Sequence, residues 1–372
     1  MQMEELPPIP DAEIENDIDF IKKITVVAVS VFMIAVAWVL WQVLIDELIG
    51  GPAAEALEIE QEFSELVQYD SVDHLSGEGV DVCIVDSGID TNHPDLDNLE
   101  LAGWNDFVNS KSEPYDDNGH GTMMAGILVA ENGYTGLAKD VELYVAKALS
   151  GIGQGDDSTV AEAIDWCVAK GVDIISLSLG GNASGFSIIL GDAVEDAVDA
   201  AYDAGIVVVA AAGNDGENDD GDVASPGIVN NVICVGGVDV NGDLWSGSSI
   251  GDNSVRIFPP QLPRNSPDEK PEVVAPGHLV PVIMIGEDCE GDDYCWGLSS
   301  GTSAATVYVT GAIAILFEEH PELQGGGTDM LDNLKQWIAD SSKKRSGQEN
   351  HDDHYGYGLL QIEALLEQAA QS

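Results

Sequence analysis

The first hydrophobic pattern in this 372-residue chain is one uninterrupted apolar run. Positions 24–45 contain 22 residues without a single charge. At 1.5 Å per residue, a helix of this length spans about 33 Å, which is enough to cross about 30 Å of hydrocarbon. We therefore predict a transmembrane helix at 24–45, preceded by a tail at 1–23 and followed by a polar segment at 46–76 that we interpret as a stalk.

The second pattern begins at residue 77, where short apolar runs alternate with longer helical stretches. The runs lie at 80–85, 174–179, 206–212 and 232–235, and the helical stretches at 121–131, 159–170, 192–203 and 304–319. Continuous apolar runs are typical of strands that are buried on both faces, and strand–helix alternation is typical of βαβ units. We predict an α/β domain over 77–370, a three-layer fold with a mostly parallel central sheet and helices on both faces.

Charges that flank the apolar run predict its orientation. Lys22 and Lys23 precede it, whereas Asp46 and Glu47 follow it. The excess of lysine on one side places the tail in the cytoplasm and the chain after residue 46 outside the cell membrane. A cleaved signal peptide is the rival interpretation, because Ala-Val-Ala at 35–37 resembles a cleavage site. The apolar run continues beyond that point, which favours an uncleaved, single-pass anchor in contact with the lipid bilayer.

The overall charge is extreme, with 67 acidic against 13 basic residues and a formal net charge of −54. This excludes a protein that binds the backbone of a nucleic acid, which requires a basic surface. A hydrophobic content of 44% argues against disorder. A surface of this kind repels itself unless salt near 1 M shortens the Debye length to about 3 Å. We interpret the chain as adapted to a very salty medium, the alternative being broad binding of divalent cations.

Five cysteines are present. Cys83, Cys167 and Cys234 lie alone in apolar stretches and are predicted to be small buried hydrophobic residues. Cys289 and Cys295 are close enough along the chain to close a small disulfide in an oxidising compartment. Two such cysteines do not make a zinc site, and we predict no metal in the chemistry.

Three polar side chains stand at the ends of predicted strands or the starts of predicted helices. Asp86 closes a buried strand, and His120 and Ser303 each open a helix. Active sites of open α/β sheets lie at the carboxyl ends of the strands, so we expect the three to converge. A serine hydroxyl needs a base to take its proton, and a carboxylate orients that base. Asn214 follows a further strand and carries an amide suited to an oxyanion hole.

The segments around these residues resemble the motifs of the subtilisin-like serine peptidases, the subtilase family. They read VDSGID around Asp86, NGHGT around His120, AAAGN ending at Asn214 and GTSAA around Ser303, in the family's order. The resemblance covers about 77–366 and implies a serine endopeptidase that acts on proteins or peptides through an acyl-enzyme. It further implies that the following residues bind an extended substrate: Gly151, Gly153, Ser178, Leu179, Gly180, Ala211 and Gly213.

The chain departs from the family pattern after the nucleophile, where Met, a small residue and Pro are usual. Residues 304–307 read Ala-Ala-Thr-Val instead. This departure supports an alternative function, a catalytically impaired domain that serves as a surface binding module. A secreted, soluble peptidase is a third interpretation, which depends only on whether the apolar run is retained.

Calcium is the one cofactor that the resemblance raises. Asp95 matches a calcium ligand of the family, but the loop at 131–135 looks shorter than the ligand loop of calcium-binding members. We expect that no cofactor is required and leave a structural calcium ion at Asp95 open.

Overall fold

The computed structural model describes residues 11–49, 51–180, 193–216, 221–255, 262–289 and 291–371. It divides into two units, Met1–Gly51 and Pro52–Ser372. The first contains helix α1 (Asp11–Ile49), whose stretch Asp17–Trp41 is long and apolar enough to cross a membrane and has none of its side chains buried in protein. A helix therefore forms where the apolar run predicts one, while residues 1–10 of the predicted tail lie outside the described residues.

A parallel sheet forms the centre of the second unit. Its strands follow the order β2-β3-β1-β4-β5-β6-β7, and every adjacent pair is parallel. They are β1 (Asp81–Asp86), β2 (Gly103–Asp106), β3 (Glu142–Lys147), β4 (Ile174–Leu177), β5 (Val207–Ala211), β6 (Ile233–Val238) and β7 (Val273–Pro276). An antiparallel hairpin follows, formed by β8 (Val280–Ile285) and β9 (Tyr294–Ser299).

Helices cover both faces of this sheet. They are α2 (Ala54–Leu66), α3 (His120–Val129), α4 (Asp157–Lys170), α5 (Ala193–Asp203), α6 (Thr302–Glu319), α7 (Gly327–Ser341) and α8 (Ile362–Ala369). Val82 and Ile84 of β1 pack into one core with α3 and α6, whereas Cys83 and Val85 pack into a second core with α4 and α5. Since neighbouring residues of a strand point to opposite faces, this double burial explains the continuous apolar runs. The predicted α/β class with a mostly parallel sheet is confirmed.

Residues 52–76 differ from the prediction of a separate stalk. Phe63 and Val67 are completely buried in the core of the second unit. The side chain of Gln361 donates to the carbonyl of Leu66 (2.9 Å), and the amide of Ile362 donates to the carbonyl of Val67 (2.8 Å). The stalk prediction is therefore wrong for residues 52–76. The many glutamates of α2 make this segment look polar throughout, although a few of its apolar residues pack in the core.

The cysteines give a second correction. Cys83 of β1 and Cys167 of α4 form a disulfide with a Cα–Cα distance of 6.0 Å. The prediction that each is a lone buried residue is therefore wrong. Their sequence separation of 84 hides this pairing from local patterns. Cys289 and Cys295 also form a disulfide, and Cys234 is a buried free thiol as predicted.

We expect the paired substitutions Cys83→Ala and Cys167→Ala to lower the free energy of unfolding by about 4.5 kcal/mol, the chain-entropy value for a loop of this length. Denaturant titration in high salt measures the change. The matched control is the pair Cys289→Ala and Cys295→Ala, which opens a loop of sequence separation 6. The control should cost only about 2 kcal/mol in the same entropy model. Equal losses in the two variants would contradict the expectation.

Candidate active site

Asp86 and His120 meet at the carboxyl edge of the sheet. Asp86 is the last residue of β1 and is completely buried, and His120 is the first residue of α3. The Nδ1 atom of His120 lies 2.8 Å and 3.0 Å from the two carboxylate oxygens of Asp86. An ionised carboxylate can only accept, so Nδ1 carries the proton and donates it. The opposite nitrogen, Nε2, is then left as the basic atom of the ring.

The electrostatics of His120 follow from two opposing effects. Burial lowers the pKa of its imidazole, whereas the charge and hydrogen bond of Asp86 raise it, and the net result is a pKa above the usual value. The side chain remains 28% exposed, so it is accessible from the solvent side. The ring therefore holds a second proton more firmly than a free imidazole does.

Ser303 lies at the start of α6, with 8% of its surface exposed. Its hydroxyl donates to the carbonyl of Ser178 (3.0 Å), and the hydroxyl of Ser178 donates to the carbonyl of Ser303 (3.0 Å). These reciprocal bonds fix the helix start against the segment that follows β4. In the resting protein the Ser303 hydroxyl proton is therefore bonded to the Ser178 carbonyl.

Asn214 lies just after β5, and its amide is oriented by the residue that precedes Ser303. Oδ1 of Asn214 accepts from the backbone N–H (2.9 Å) and the hydroxyl (3.0 Å) of Thr302. With its oxygen held in this way, the amide presents Nδ2 as a donor. Thr302 was missed at the sequence level, although it directly precedes the nucleophile in the GTSAA motif.

One cleft of about 700 Å³ joins these groups, and His120, Asn214 and Ser303 all line it. The predicted substrate-binding residues that also line it are Gly153, Ser178, Leu179, Gly180, Ala211 and Gly213. Gly151 lies beside the cleft, where its carbonyl accepts from the side chain of Asn118 (3.3 Å), a residue of the cleft wall. The fold thus brings residues from five separate parts of the chain to a single groove.

Comparison with known proteins agrees with this geometry. Residues 77–358 match the model of the subtilase family, Peptidase_S8. The chain belongs to the subtilase family. It is a subtilisin-type serine peptidase, and the start of the match coincides with the predicted boundary at residue 77.

Relatives with known names include bacterial peptidases. Serine protease AprX of Bacillus subtilis (strain 168) is 34% identical over 310 residues, which cover 78% of this chain and 66% of AprX, slightly under two thirds of its length. Subtilisin DY of Bacillus licheniformis is 33% identical over 296 residues, covering 78% of this chain and 92% of the relative. A crystal structure of a cold adapted subtilisin-like serine proteinase superposes with a TM-score of 0.58 at 26% identity, covering 77% and 90% of the two chains.

Asp116 is a site residue of this subtilase that sequence reasoning missed. Its carboxylate accepts from the Ser87 hydroxyl (2.9 Å), the Gly119 amide (2.9 Å) and the Thr122 amide (2.9 Å). Burial raises the pKa of Asp116, but hydrogen bonds from Gly119, Thr122 and Asn118 outweigh it and the pKa is lowered. Asp116 therefore fixes the turn that carries His120. The acidic pair just ahead of a predicted helix was the available signal.

Lys147 is a second missed residue. It ends β3 opposite Asp86 in the strand register, and its side chain is completely buried. Nζ donates to the carbonyls of Ser87 and Leu149 and to Oδ1 of Asp117 (2.6 Å). A buried ammonium group is stable only when it is paired and hydrogen-bonded in this way. Lys147 thus joins the segment after Asp86 to the segment before His120, and no local pattern marks it.

The surroundings of Asp95 do not fit a calcium ion. Oδ2 accepts from the indole of Trp296 (2.9 Å) and the amide of Tyr134 (2.9 Å), both of which are donors. Oδ1 is buried and has no hydrogen-bond partner in the described part of the chain. The backbone of Gly133 closes the space beside this oxygen, since a Cβ placed on Gly133 would lie only 2.7 Å from it. Calcium takes six to eight oxygen ligands, and this carboxylate is instead closed in by N–H groups and backbone.

Proposed function

We propose that the chain is a serine endopeptidase with Asp86, His120 and Ser303 as its catalytic triad, held at the outer face of the cell membrane by α1. The single observation that carries the proposal is the hydrogen bond from His120 to the buried Asp86, with His120 lining the same cleft as Ser303. Together the three groups supply the carboxylate, base and nucleophile of acyl transfer, and that set requires no metal.

The reaction begins when the Ser303 hydroxyl turns from the Ser178 carbonyl toward Nε2 of His120. Nε2 takes the proton as Oγ attacks the scissile carbonyl, and Asp86 stabilises the imidazolium without taking the proton itself. Nδ2 of Asn214 and the backbone N–H of Ser303 donate to the developing oxyanion. His120 then protonates the leaving amine, and the acyl-enzyme remains. Water attacks the acyl group with His120 as the base, and Ser303 is restored.

The substrate is a protein or peptide in extended conformation. Its backbone lies between the segments that carry Gly153 and Ser178, as in the addition of a strand to an exposed edge. Asp157 and Asp215 also line the cleft, so basic side chains are favoured at low salt, whereas high salt screens this preference.

The location outside the membrane has two kinds of support. Lys22 and Lys23 precede the apolar part of α1, which favours a cytoplasmic N-terminus. The two disulfides of the second unit belong to an oxidising compartment, which the cytoplasm is not. The acidic composition in turn supports a protein that works in concentrated salt and does not bind nucleic acid.

The alternative, a binding module without activity, rests on the missing proline after Ser303. Helix α6 nevertheless forms without it, with one threonine bonded within the helix and another bonded to the sheet. Thr306 donates to the carbonyl of Thr302 (2.9 Å), and Thr310 donates to the hydroxyl of Ser176 in β4 (3.0 Å). The nucleophile helix is therefore tied to the sheet by other means, and this favours the enzyme.

A fluorophosphonate probe tests the proposal directly. We expect the full-length chain to be labelled in high salt, while Ser303→Ala is not labelled. The same labelled band should remain in salt-washed membranes with its N-terminus intact. Absence of labelling in folded protein would refute the enzyme, and a soluble labelled band would refute only the anchor.

The pH profile of kcat/KM gives a further prediction. His120 must be neutral to act as the base, and its pKa is raised, so activity is lost as pH falls through a value above the usual 6.5 or so of imidazole. In Asp86→Asn we expect this acid limb to move to lower pH, with a rate about 10⁴-fold lower. An acid limb that does not move in Asp86→Asn would contradict the assigned pairing.

A further inference from the structure

A second pocket, of about 360 Å³, lies outside the catalytic cleft. Its walls come from α2, the short turn after α2, α3, the loop after α3 and α6. None of the triad residues or the predicted substrate-binding residues lines it. It exists because residues 52–76 pack on the domain, and the proposed peptidase chemistry makes no use of it.

The lining combines aromatic rings with carboxylates. Tyr69, Tyr134 and Tyr308 are at least nine-tenths buried. Glu60 is half-buried, and its Oε1 accepts from the amide of Thr135 (2.7 Å). The exposed rim carries Asp70 and Asp73. No lysine or arginine is found among the described residues of this lining. An apolar, aromatic wall beside uncompensated negative charge is the environment that attracts an organic cation.

Tyr308 provides an independent observation. It is 6% exposed, and its hydroxyl has no hydrogen-bond partner in the described part of the chain. Burial raises the pKa of Tyr308, and the negative charge of Glu60 raises it further, so the phenol and this carboxylate act on each other. A hydroxyl that opens into a cavity and makes no hydrogen bond to the described residues is a polar group available to a ligand.

Glu60 provides the charge. Burial and the charge of Asp95 raise its pKa to about 7, although the hydrogen bond from Thr135 lowers it. Its neighbours Asp70, Asp73 and Asp95 are all acidic, and it forms no ion pair within the described ranges. Above neutral pH it is a partly desolvated anion that lacks a cation.

We propose that this pocket binds a small organic cation, such as a quaternary ammonium or an alkylamine. The charged head lies against Glu60 and the tyrosine rings, and the apolar part lies against the aliphatic wall. A hydroxyl on the ligand meets Tyr308. This binding is independent of the peptidase chemistry, so either can fail without the other.

The test compares choline with its neutral isostere, 3,3-dimethylbutan-1-ol, by calorimetric titration. The protein is the full-length chain with Ser303→Ala to prevent self-digestion, in a maltoside detergent that carries no cationic group. Salt near 1 M screens the exposed rim carboxylates more than it screens Glu60. At pH above 8 Glu60 is ionised, since its pKa is about 7.

We expect saturable binding of choline, and binding about tenfold weaker for the isostere, for Glu60→Gln and for Tyr308→Phe. The matched control, Glu62→Gln on the exposed side of α2, should bind choline as the parent does. If Glu60→Gln is not folded, Asp73→Asn combined with Tyr308→Phe takes its place. Equal affinity for the isostere, unchanged affinity in the folded pocket variants, or no saturable binding of choline would each overturn the proposal.

Discussion

Replacement of Ser303 by alanine is expected to lower kcat about 10⁶-fold, the loss known for the nucleophile of subtilisin, a relative of this chain. The substitution removes the only group that forms the acyl bond. The hydroxyl also makes one hydrogen bond, to the carbonyl of Ser178 (3.0 Å), so stability should change little. Single-turnover hydrolysis of a peptide ester in high salt measures the rate, and denaturant titration measures the stability.

The control for this experiment is Ser178→Ala, which removes the hydroxyl that supports the backbone of Ser303 (3.0 Å) without touching the nucleophile. We expect that variant to retain the acyl-enzyme burst at a lower rate. If Ser303→Ala instead kept most of the activity, the assigned nucleophile would be wrong. The binding-module alternative would then gain the support that the missing proline alone does not provide.

Removal of salt is expected to abolish both activity and the native circular dichroism signal. With a formal net charge of −54, repulsion between surface carboxylates grows as the Debye length lengthens from about 3 Å at 1 M to about 30 Å at 0.01 M. Activity and far-UV signal should therefore fall together along a decreasing NaCl series. Sucrose at matched osmolality should not restore them, because it does not screen charge.

A charge variant separates screening from other effects of salt. Glu162 and Asp165 are exposed on α4, and their replacement by lysine lowers the net negative charge without disturbing the core. The salt concentration at the unfolding midpoint should shift downward in this variant. Full activity of the parent chain at low salt would refute the salt adaptation and leave the triad proposal intact.

Much of the fold was readable from the chain because its signals are local. Runs of apolar residues predict β1, β4, β5 and β6, since the central residues of a strand that is buried on both faces are apolar. Strand β3, which lies between β2 and β1, was missed; it begins with a glutamate and ends with Lys147. The β8–β9 hairpin was also missed; the acidic stretch 286–293 separates its two strands in the sequence.

The residues of the candidate site also fall into two groups, those that stand in local motifs and those that only tertiary contacts reveal. Asp86, His120, Asn214 and Ser303 stand in short motifs, and the parallel sheet brings their strand ends to one edge. Asp116 and Lys147 stabilise that arrangement through contacts between separate segments. An acidic pair ahead of a helix is the one local signal for Asp116, and no local pattern marks Lys147. The poor fit of Asp95 to calcium depends on Trp296, which lies 201 residues away in sequence.

The sequence alone therefore determined the apolar helix, the layered α/β class, the order of the chemical residues and the strongly negative net charge. These depend on side-chain type and on spacing within one element. Tertiary structure decided the packing of residues 52–76, the Cys83–Cys167 bond, the buried ammonium of Lys147 and the tyrosine-lined second pocket. Each of these joins distant parts of the chain. Such pairings leave no periodic trace in the sequence, since either partner alone looks like an ordinary buried or surface residue.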